Sequence, residues 1–496
     1  MSEQHDSLHR ARPHRRYGHR GLVRLTGTTL AALALGACSM APQYVQPEMP
    51  APPTWPVGDA YLARSEAGLP IVSYKQIFTD ARLQALIEQA LDNNRDLREA
   101  AANVAAARAQ VTVTRSSQFP EIGLSSSATD SETGGGFGLN GMSYALSGGI
   151  TSYELDLFGR LASATQAQRD TALSTEAAAR TVRLALVSNV AQTWATHAAD
   201  AELLRIAEAT VTSAQDSVRL SEARLKGGIA PRTELRQAQQ VLETARGDVA
   251  AQKAALAQDV NAMRLLVGAD FDPGLLPDDI DTVIESLGTV PAGTDTQVLL
   301  RRPDVVEAEY ALRAANANIG VARAQLFPTI SLSALVGFAS TSLSALFDSA
   351  SRTTTLRASG DWSIFNAGGT RAGVTVARAQ QEAALAVYEK AIQNAFAETA
   401  DALADQGTLG ERLRAASAFT EASRDNATLT EATYRRGIVS SLDNLDAQRS
   451  LYSARIAEIA VRLAVAGNRI TLYSVLGGDQ ATAPVRDQGT DGASGS

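Results

Sequence analysis

Cysteine and histidine are nearly absent from this sequence. Cys38 is the only cysteine among 496 residues, so no disulfide can form within one chain. Only His197 follows Cys38, because the other histidines lie before residue 20. A Ser–His–Asp or Cys–His catalytic centre and a His/Cys metal cluster are therefore excluded. His197 lies in an alanine-rich helical stretch, and we expect it to be exposed or structural. The sequence predicts a protein that is not an enzyme and that holds no metal.

An excess of positive charge and a phosphate-binding loop are also lacking. The formal net charge is −8. The first 37 residues carry six arginines and two acidic residues, so the rest of the chain has a net charge of about −12. This acidity argues against a nucleic-acid partner. The pattern GXXXXGK[ST] does not occur, so energy for any transport must come from a partner protein.

The amino-terminal residues predict export from the cytoplasm. Arginines from Arg10 to Arg24 precede the apolar run TLAALALGA, which is typical of a secretory signal peptide and shorter than the ~20 residues that span a bilayer. The residues Leu35-Gly36-Ala37-Cys38 resemble a bacterial lipobox. They predict a signal peptide over 1–37, with a diacylglycerol and an N-acyl chain (palmitate) on Cys38 and no other cofactor. Ser39 resembles the second residue of lipoproteins sorted to the outer membrane. The alternative is an ordinary signal peptide with a chance cysteine.

The chain repeats itself after about 208 residues. TRSSQFPEIGLS at 114–125 matches ARAQLFPTISLS at 322–333, and Gly228-Ile229 recurs as Gly437-Ile438. A duplicated element of this size is too long for a solenoid unit, so we predict two large tandem repeats. The predicted divisions are a lipidated, extended segment 38–77, repeat one 78–270, an equatorial linker 271–300, repeat two 301–478 and a disordered tail 479–496.

Glycine and proline are missing where a helix would need to be unbroken. Neither occurs from Leu161 to Lys226, and each would cost ~1 or ~3 kcal/mol in a helix interior. The sequence predicts a long helix over about 160–226, a rod of ~100 Å at ~1.5 Å per residue. Repeat two predicts its counterpart over about 370–436, with only three internal glycines. Helices of this length require packing against similar neighbours.

Between each Phe-Pro and the next long helix, the period changes to that of a strand. In TISLSALVGF, from Thr329 to Phe338, apolar residues alternate mainly with small or polar ones, which is typical of an outer-membrane strand of ~10 residues. Strands are predicted within about 118–158 and 326–366. A change of phase near Thr151 indicates a bulge. ETGGGFGLNG and STSLSALFDSAS are the predicted hairpin loops. The alternative is two hairpins buried in a soluble domain.

Four strands cannot close a barrel in a membrane, where unpaired edge groups cost several kcal/mol each. Two copies would supply eight strands and three copies twelve. A conducting pore favours the larger number, because side chains mostly fill eight-stranded interiors. If the helices leave the strands on one side, they form a tube whose far ends are the two Gly-Ile turns. Gly228, Ile229, Gly437 and Ile438 are therefore predicted to be docking tips.

The sequence resembles the TolC-like outer-membrane channels of tripartite efflux pumps, especially their lipoprotein (NodT/OprM-like) branch. The resemblance covers nearly the whole chain after Cys38. It is carried by CSMAPQYVQP, FTDARLQALIEQALDNNRDLREA, RRPDVVEAEYALRAANANIGVARAQLFPTISL and LDAQRSLY. It implies a membrane α+β fold, in which a homotrimer shares a twelve-stranded β-barrel and a long α-helical barrel. It also implies a lipid-anchored protein in the outer membrane with its helices in the periplasm. Its partners would be a periplasmic adaptor, a resistance-nodulation-division pump and outer-membrane lipids.

The same resemblance implies a periplasmic gate. Tyr434 matches a tyrosine that ties the closed state, and Asp443 and Asp446 match carboxylates that narrow the mouth. Some members carry an arginine at the position of Val439, so that link is absent, or Arg435 or Arg436 replaces it. Acids also favour helix N-termini, so Asp443 and Asp446 could simply cap the following helix. The gate and the cap are compatible.

We predict a passive export duct, and two alternatives remain at this point. One is a type I secretion or metal-export duct of the same fold. The other is a lipid-anchored coiled-coil structural protein whose strands are soluble.

Acylation can be tested at Cys38. Cys38→Ser should block lipid attachment and signal cleavage at this site, while the barrel keeps part of the protein in the membrane. Mass spectrometry of the purified amino terminus checks this, with Ser39→Ala as the control that keeps the thiol. An unmodified amino terminus at another residue of the parent protein would contradict the prediction.

Overall fold

A computed structural model describes residues 40–52, 54–56, 73–131, 141–288 and 296–478. The predicted signal peptide, Cys38, most of the ETGGGFGLNG loop and the predicted tail 479–496 lie outside the described residues. The described chain forms two compact units. One contains the sheet and comprises 40–43, 114–166 and 316–377, and the other comprises 44–113, 167–315 and 378–478 within the described ranges.

The helices and strands follow one another twice in the same order. Before the first repeat come two helices, α1 (Tyr74–Ile77) and α2 (Ala81–Asn93). The first repeat contains α3 (Arg95–Ser116), β1 (Ile122–Ser131), β2 (Gly141–Leu155), α4 (Arg160–Lys226) and α5 (Arg232–Val267). A short helix, α6 (Ile280–Ser286), follows. The second repeat contains α7 (Pro303–Ala324), β3 (Thr329–Ser340), β4 (Arg352–Asp361), α8 (Gly369–Arg435) and α9 (Ser441–Val475).

Corresponding helices of the two repeats have matching lengths. α3 and α7 contain 22 residues each, and α4 and α8 contain 67 each. The predicted fold class, a four-stranded sheet with long helices in two tandem repeats, is confirmed. The segment predicted to be extended up to residue 77 is wrong at its end. There Ser73 and Gln76 form a capping box that starts the short helix α1.

The four strands form one antiparallel sheet in the order β1-β2-β3-β4. The register of β2 on β3 shifts between Ile150 and Tyr153, which confirms the bulge predicted near Thr151. β4 ends at Asp361, so Trp362 and Ile364, which the alternation had included in this strand, lie beyond it. The Trp362 indole donates to Leu326 O at 3.1 Å instead of following the ladder.

One face of the sheet is apolar and exposed. The register places Ile122 beside Ile150, and Ala334 between Ile150 and Leu356. Ile122 is 79% exposed and Leu356 is 80% exposed. Their neighbours along each strand are mostly serine, threonine and glycine, which point to the other face. A large exposed apolar patch of this kind indicates a surface that some other apolar phase covers.

In the helical unit, the end of each return helix abuts the start of the short helix of its own repeat. α5 ends at Gly268 with φ 72°, and a Cβ there would lie 2.6 Å from Asn93 O. Asn94 joins the two helices. Its Oδ1 accepts from Leu97 N at 3.0 Å in α3, and its Nδ2 donates to Leu266 O at 2.9 Å in α5. The orphan carbonyl at the end of α5 is thereby paired.

The second repeat replaces this amide with a buried arginine. Arg302 donates to both carboxylate oxygens of Asp304, at 3.0 and 2.7 Å. It also donates to Glu398 at 2.8 Å in α8 and to Val475 O at 3.0 Å at the end of α9. One guanidinium therefore holds α7, α8 and α9 together, and its positive charge lies at a helix C-terminus, where it is favourable.

The apolar core of the helical unit lies around the middle of α4 and α8. Trp194 of α4 is fully buried and donates to Leu275 O at 3.0 Å. Trp55 of the amino-terminal segment stacks on Phe396 of α8, with ring centroids 5.3 Å apart. His197 has the structural role expected of it, since its Nδ1 lies 2.8 Å from Pro277 O.

No helix in the described ranges has an apolar stretch long enough to cross a membrane.

Arg302→Gln tests the three-helix clamp. The change should cost about 2 kcal/mol, because it leaves two partly buried carboxylates without their cation. Thermal unfolding followed by circular dichroism in detergent should show a lower midpoint. The control is Arg424→Gln, which removes an exposed pair with Glu421 and should cost less than about 0.5 kcal/mol. Equal midpoints for both variants would contradict the clamp.

Candidate functional site: the helix turns and their ties

The two Gly-Ile turns have the same hydrogen-bond pattern. After α4, Gly228 N donates to Leu225 O and Ile229 N donates to Arg224 O, both at 3.0 Å. After α8, Gly437 N donates to Tyr434 O at 2.9 Å. Ile438 N donates to Thr433 O at 3.0 Å. This is the Schellman pattern that ends helices with a left-handed residue.

Glycine is required at both turns for its backbone conformation. Gly228 has φ 73° and Gly437 has φ 74°, a region that residues with a Cβ rarely adopt. No heavy atom would lie within 4 Å of a Cβ at either position, so the constraint is backbone strain and not crowding. Ile229 and Ile438 follow with 72% and 69% of their surface exposed. The two turns therefore present exposed apolar side chains.

Tyr434 ties the second turn to the first. It lies in the last turn of α8, is buried, and its hydroxyl donates to Glu234 Oε1 in α5. The Arg224 guanidinium lies 4.9 Å from the centre of the Tyr434 ring, and its Nε lies 3.8 Å from Glu234 Oε1. Burial, followed by the hydrogen bond to the Glu234 carboxylate, raises the pKa of Tyr434, so the phenol remains a donor at neutral pH.

The sequence reasoning missed Glu234 and Arg224. The internal repeat contains the signal that could have found Glu234, because Glu234 lies 209 positions before Asp443. Both are the third residue of a return helix, α5 or α9. Glu234 is buried against Tyr434, whereas Asp443 is exposed. Equivalent carboxylates in the two repeats therefore have different surroundings.

Asp443 and Asp446 both have partners on or next to their own helix. Asp443 accepts from Ser440 N at 3.2 Å, and Ser440 Oγ accepts from Asp443 N at 3.2 Å, which forms a capping box. Asp446 pairs with Arg449. The capping interpretation is therefore confirmed for Asp443. Because both carboxylates remain exposed, they also remain available to solvent at the turn.

The basic residues beside the second turn do not bridge to another helix. Arg435 pairs with Glu431 one turn back on α8, so it does not replace the link that is missing at Val439. In the described part of the chain, no group of three or more His, Cys, Asp or Glu side chains is arranged to hold a metal ion.

Residues 86–269 and 296–478 match the family described as outer membrane efflux protein. Most of both tandem repeats is thus covered. The chain is 38% identical over 461 residues to the probable efflux pump outer membrane protein TtgC of Pseudomonas putida, over 92% of this chain and 95% of that protein. It is 39% identical over 450 residues to the cation efflux system protein CusC of Escherichia coli, over 90% of this chain and 97% of that protein.

Solved structures agree with these relatives. A crystal structure of CusC superposes with a TM-score of 0.80 at 37% identity, over 89% of this chain and 100% of that one. The open state of the MtrE outer membrane channel of Neisseria gonorrhoeae superposes with a TM-score of 0.79 at 32% identity, over 89% of this chain and 98% of that one. The resemblance to TolC-like channels is confirmed, and the chain belongs to the outer membrane efflux protein family.

Proposed function

We propose that three copies of this chain form the outer-membrane duct of a tripartite efflux system, through which small molecules leave the cell passively. The observation that carries this proposal is the four-stranded sheet with two unpaired edges and one exposed apolar face. An edge strand in lipid cannot pair its backbone groups with water. The outer edges of β1 and β4 therefore need strands from further copies, and three copies supply the twelve strands of a closed barrel wide enough to conduct.

The partners follow from what a passive duct lacks. The chain carries no phosphate-binding loop of the GXXXXGK[ST] type, so a pump in the inner membrane supplies the energy and a periplasmic adaptor bridges the two. The turns at Gly228-Ile229 and Gly437-Ile438 offer exposed isoleucines to such an adaptor. The lipid on Cys38 anchors the amino terminus to the periplasmic side of the outer membrane, with the helices in the periplasm.

The identity of the cargo depends on the pump. TtgC is named for an efflux pump and CusC for a cation efflux system, although both are similar to this chain along nine-tenths of its length. One duct fold therefore fits different cargoes. Metal export through this chain is a second candidate, favoured by the identity to CusC, and it requires only a different pump.

We assign the periplasmic gate to Tyr434, Asp443 and Asp446. The hydrogen bond from Tyr434 to Glu234 joins α8 to α5 and holds the second turn in place. In a trimer, three copies of Asp443 and Asp446 place up to six carboxylates around the mouth. Charges of one sign in a narrow opening focus the field and favour counter-ions, so the mouth selects cations.

The double change Asp443→Asn/Asp446→Asn tests the acidic mouth. Asn at 443 can still accept from Ser440 N, so the fold should remain intact while cation selectivity and block by multivalent cations weaken. Planar-bilayer recordings measure both effects. The control is Asp216→Asn, which removes a comparable exposed pair with Arg219 away from the turns. If the double variant keeps the selectivity and the metal block of the parent, Asp443 and Asp446 do not line the mouth.

Gly437→Asp tests the docking tip. The side chain adds charge and a Cβ at φ 74°, which strains the turn by about 1 kcal/mol. Export should be lost while the trimer persists on gels. Gly437→Asn, which tolerates the left-handed region, should keep most export. Gly410→Asp in α8, where a Cβ also meets open space, should have no effect. Normal export by Gly437→Asp at normal protein level would contradict docking at this turn.

A further inference from the structure

A second tyrosine joins the return helices of the two repeats. Tyr452 of α9 donates to Asp248 Oδ2 of α5 at 2.8 Å. It is the last residue of LDAQRSLY, a motif that the gate does not use. Tyr452 lies three turns into α9, and both side chains are partly buried. This bond therefore connects the same pair of hairpins as Tyr434 and Glu234, but further from the turns.

Below Tyr452, α9 has no polar contact with another helix among the described residues. Asp443 bonds to Ser440, and Asp446 pairs with Arg449. The segment of α9 from Ser441 to Leu451 is held only by packing of buried residues such as Leu445 and Ala447. Packing of this kind has no fixed direction.

Above Tyr452, α9 is bonded to its neighbours at nearly every turn. Its partners lie in α8 and α6, on two sides of the helix. The bonds are Thr420 Oγ1 to Ala454 O at 3.2 Å, Ser417 Oγ to Glu458 at 2.8 Å, Arg462 to Asp281 at 2.6 Å, Asn468 to Ala402 O at 2.8 Å and Arg469 to Leu287 O at 2.8 Å. Directional bonds to two neighbouring helices fix this part of α9 in position.

α8 shows the same division. Between Thr420 and Tyr434, the described side chains of α8 bond only within their own helix. The stretch 421–451 therefore contains the end of α8, the turn and the start of α9, and its polar contacts with the rest of the chain all run through Tyr434. We call this stretch the tip segment.

The tip segment and its neighbour also contain buried polar atoms without a partner. Asn444 Oδ1 in the segment and Arg224 Nε beside it are buried and accept or donate no hydrogen bond within the described structure. An unpaired buried polar atom destabilises the arrangement that contains it. The observed packing of the tip segment can therefore be exchanged for another at low cost.

We propose that Tyr452, bonded to Asp248, is a positioning residue that sets the upper limit of the gate. Loss of the Tyr434–Glu234 bond releases the tip segment 421–451, and α9 from Tyr452 onward stays in place. The proposal rests on the gate assigned to Tyr434 in the proposed function. The competing arrangement is a second lock, in which the Tyr452–Asp248 bond must also break before the channel opens.

Chemical crosslinks distinguish the two arrangements. The tip pair is Glu234→Cys/Tyr434→Cys, and the upper pair is Asp248→Cys/Tyr452→Cys. Each is joined by a short bifunctional maleimide, in cells whose other outer-membrane efflux channels are deleted. Cys38 is the only native cysteine, so the products are unambiguous, and single-cysteine variants control for the reagent. Dye efflux is then measured before and after crosslinking.

Crosslinking the tip pair should abolish efflux, whereas crosslinking the upper pair should leave efflux within about twofold of the untreated variant. Loss of efflux in the upper pair would overturn the proposed limit and leave the gate at Tyr434 intact. Full efflux in both pairs would overturn the gate itself, and with it the limit. The two failures therefore give different patterns.

Tyrosine-to-phenylalanine variants provide an independent readout. A hydrogen bond to a carboxylate is worth about a tenfold shift in an equilibrium, so Tyr434→Phe should raise the opening frequency in bilayers about tenfold. Tyr452→Phe alone should stay within about twofold of the parent, and the double variant should show larger openings than Tyr434→Phe. The heat resistance of the oligomer on gels should be the same for all three. A tenfold increase in openings of Tyr452→Phe alone would overturn the proposal.

Discussion

The unpaired edges of β1 and β4 constrain everything else in this protein. In an antiparallel sheet each interior strand pairs its backbone on both sides, but an edge strand leaves a row of N–H and C=O groups free. Water satisfies these groups in a soluble protein, and lipid cannot. The exposed apolar face, with Ile122 and Leu356 among its side chains, argues for lipid on that face. The proposed trimer satisfies both requirements at once, since strands from other copies cover the edges and the bilayer covers the apolar face.

The two repeats use the same fold and turn but differ in the polar groups that hold them. Asn94 joins α5 to α3 in the first repeat, and Arg302 joins α9 to α7 and α8 in the second. At the turns, Glu234 is buried against Tyr434, while its counterpart Asp443 caps a helix and faces solvent. Duplication thus supplies two similar hairpins, and substitution of single polar residues gives each its own attachments. In the proposed gate, the second hairpin is the one that moves.

Most of the fold could be predicted from local features of the sequence. The absence of glycine and proline predicts α4, because nothing in that stretch interrupts the backbone ladder. Alternation of residue types predicts the strands and even the bulge near Thr151. Contacts between distant segments could not be predicted this way, which is why Glu234, Arg224 and Asp248 were missed. The end of β4 at Asp361 was also missed, because Trp362 bonds to Leu326 O although its sequence continues the alternation.

The number of copies in the channel is the most direct test of these relationships. Native mass spectrometry of the detergent-solubilised protein, released from micelles in the gas phase, measures it without labels. Three copies are expected, because twelve strands leave no free edge and enclose a conducting interior. A predominant monomer or dimer, in a preparation that conducts ions in bilayers, would contradict the shared barrel and the gate that depends on it.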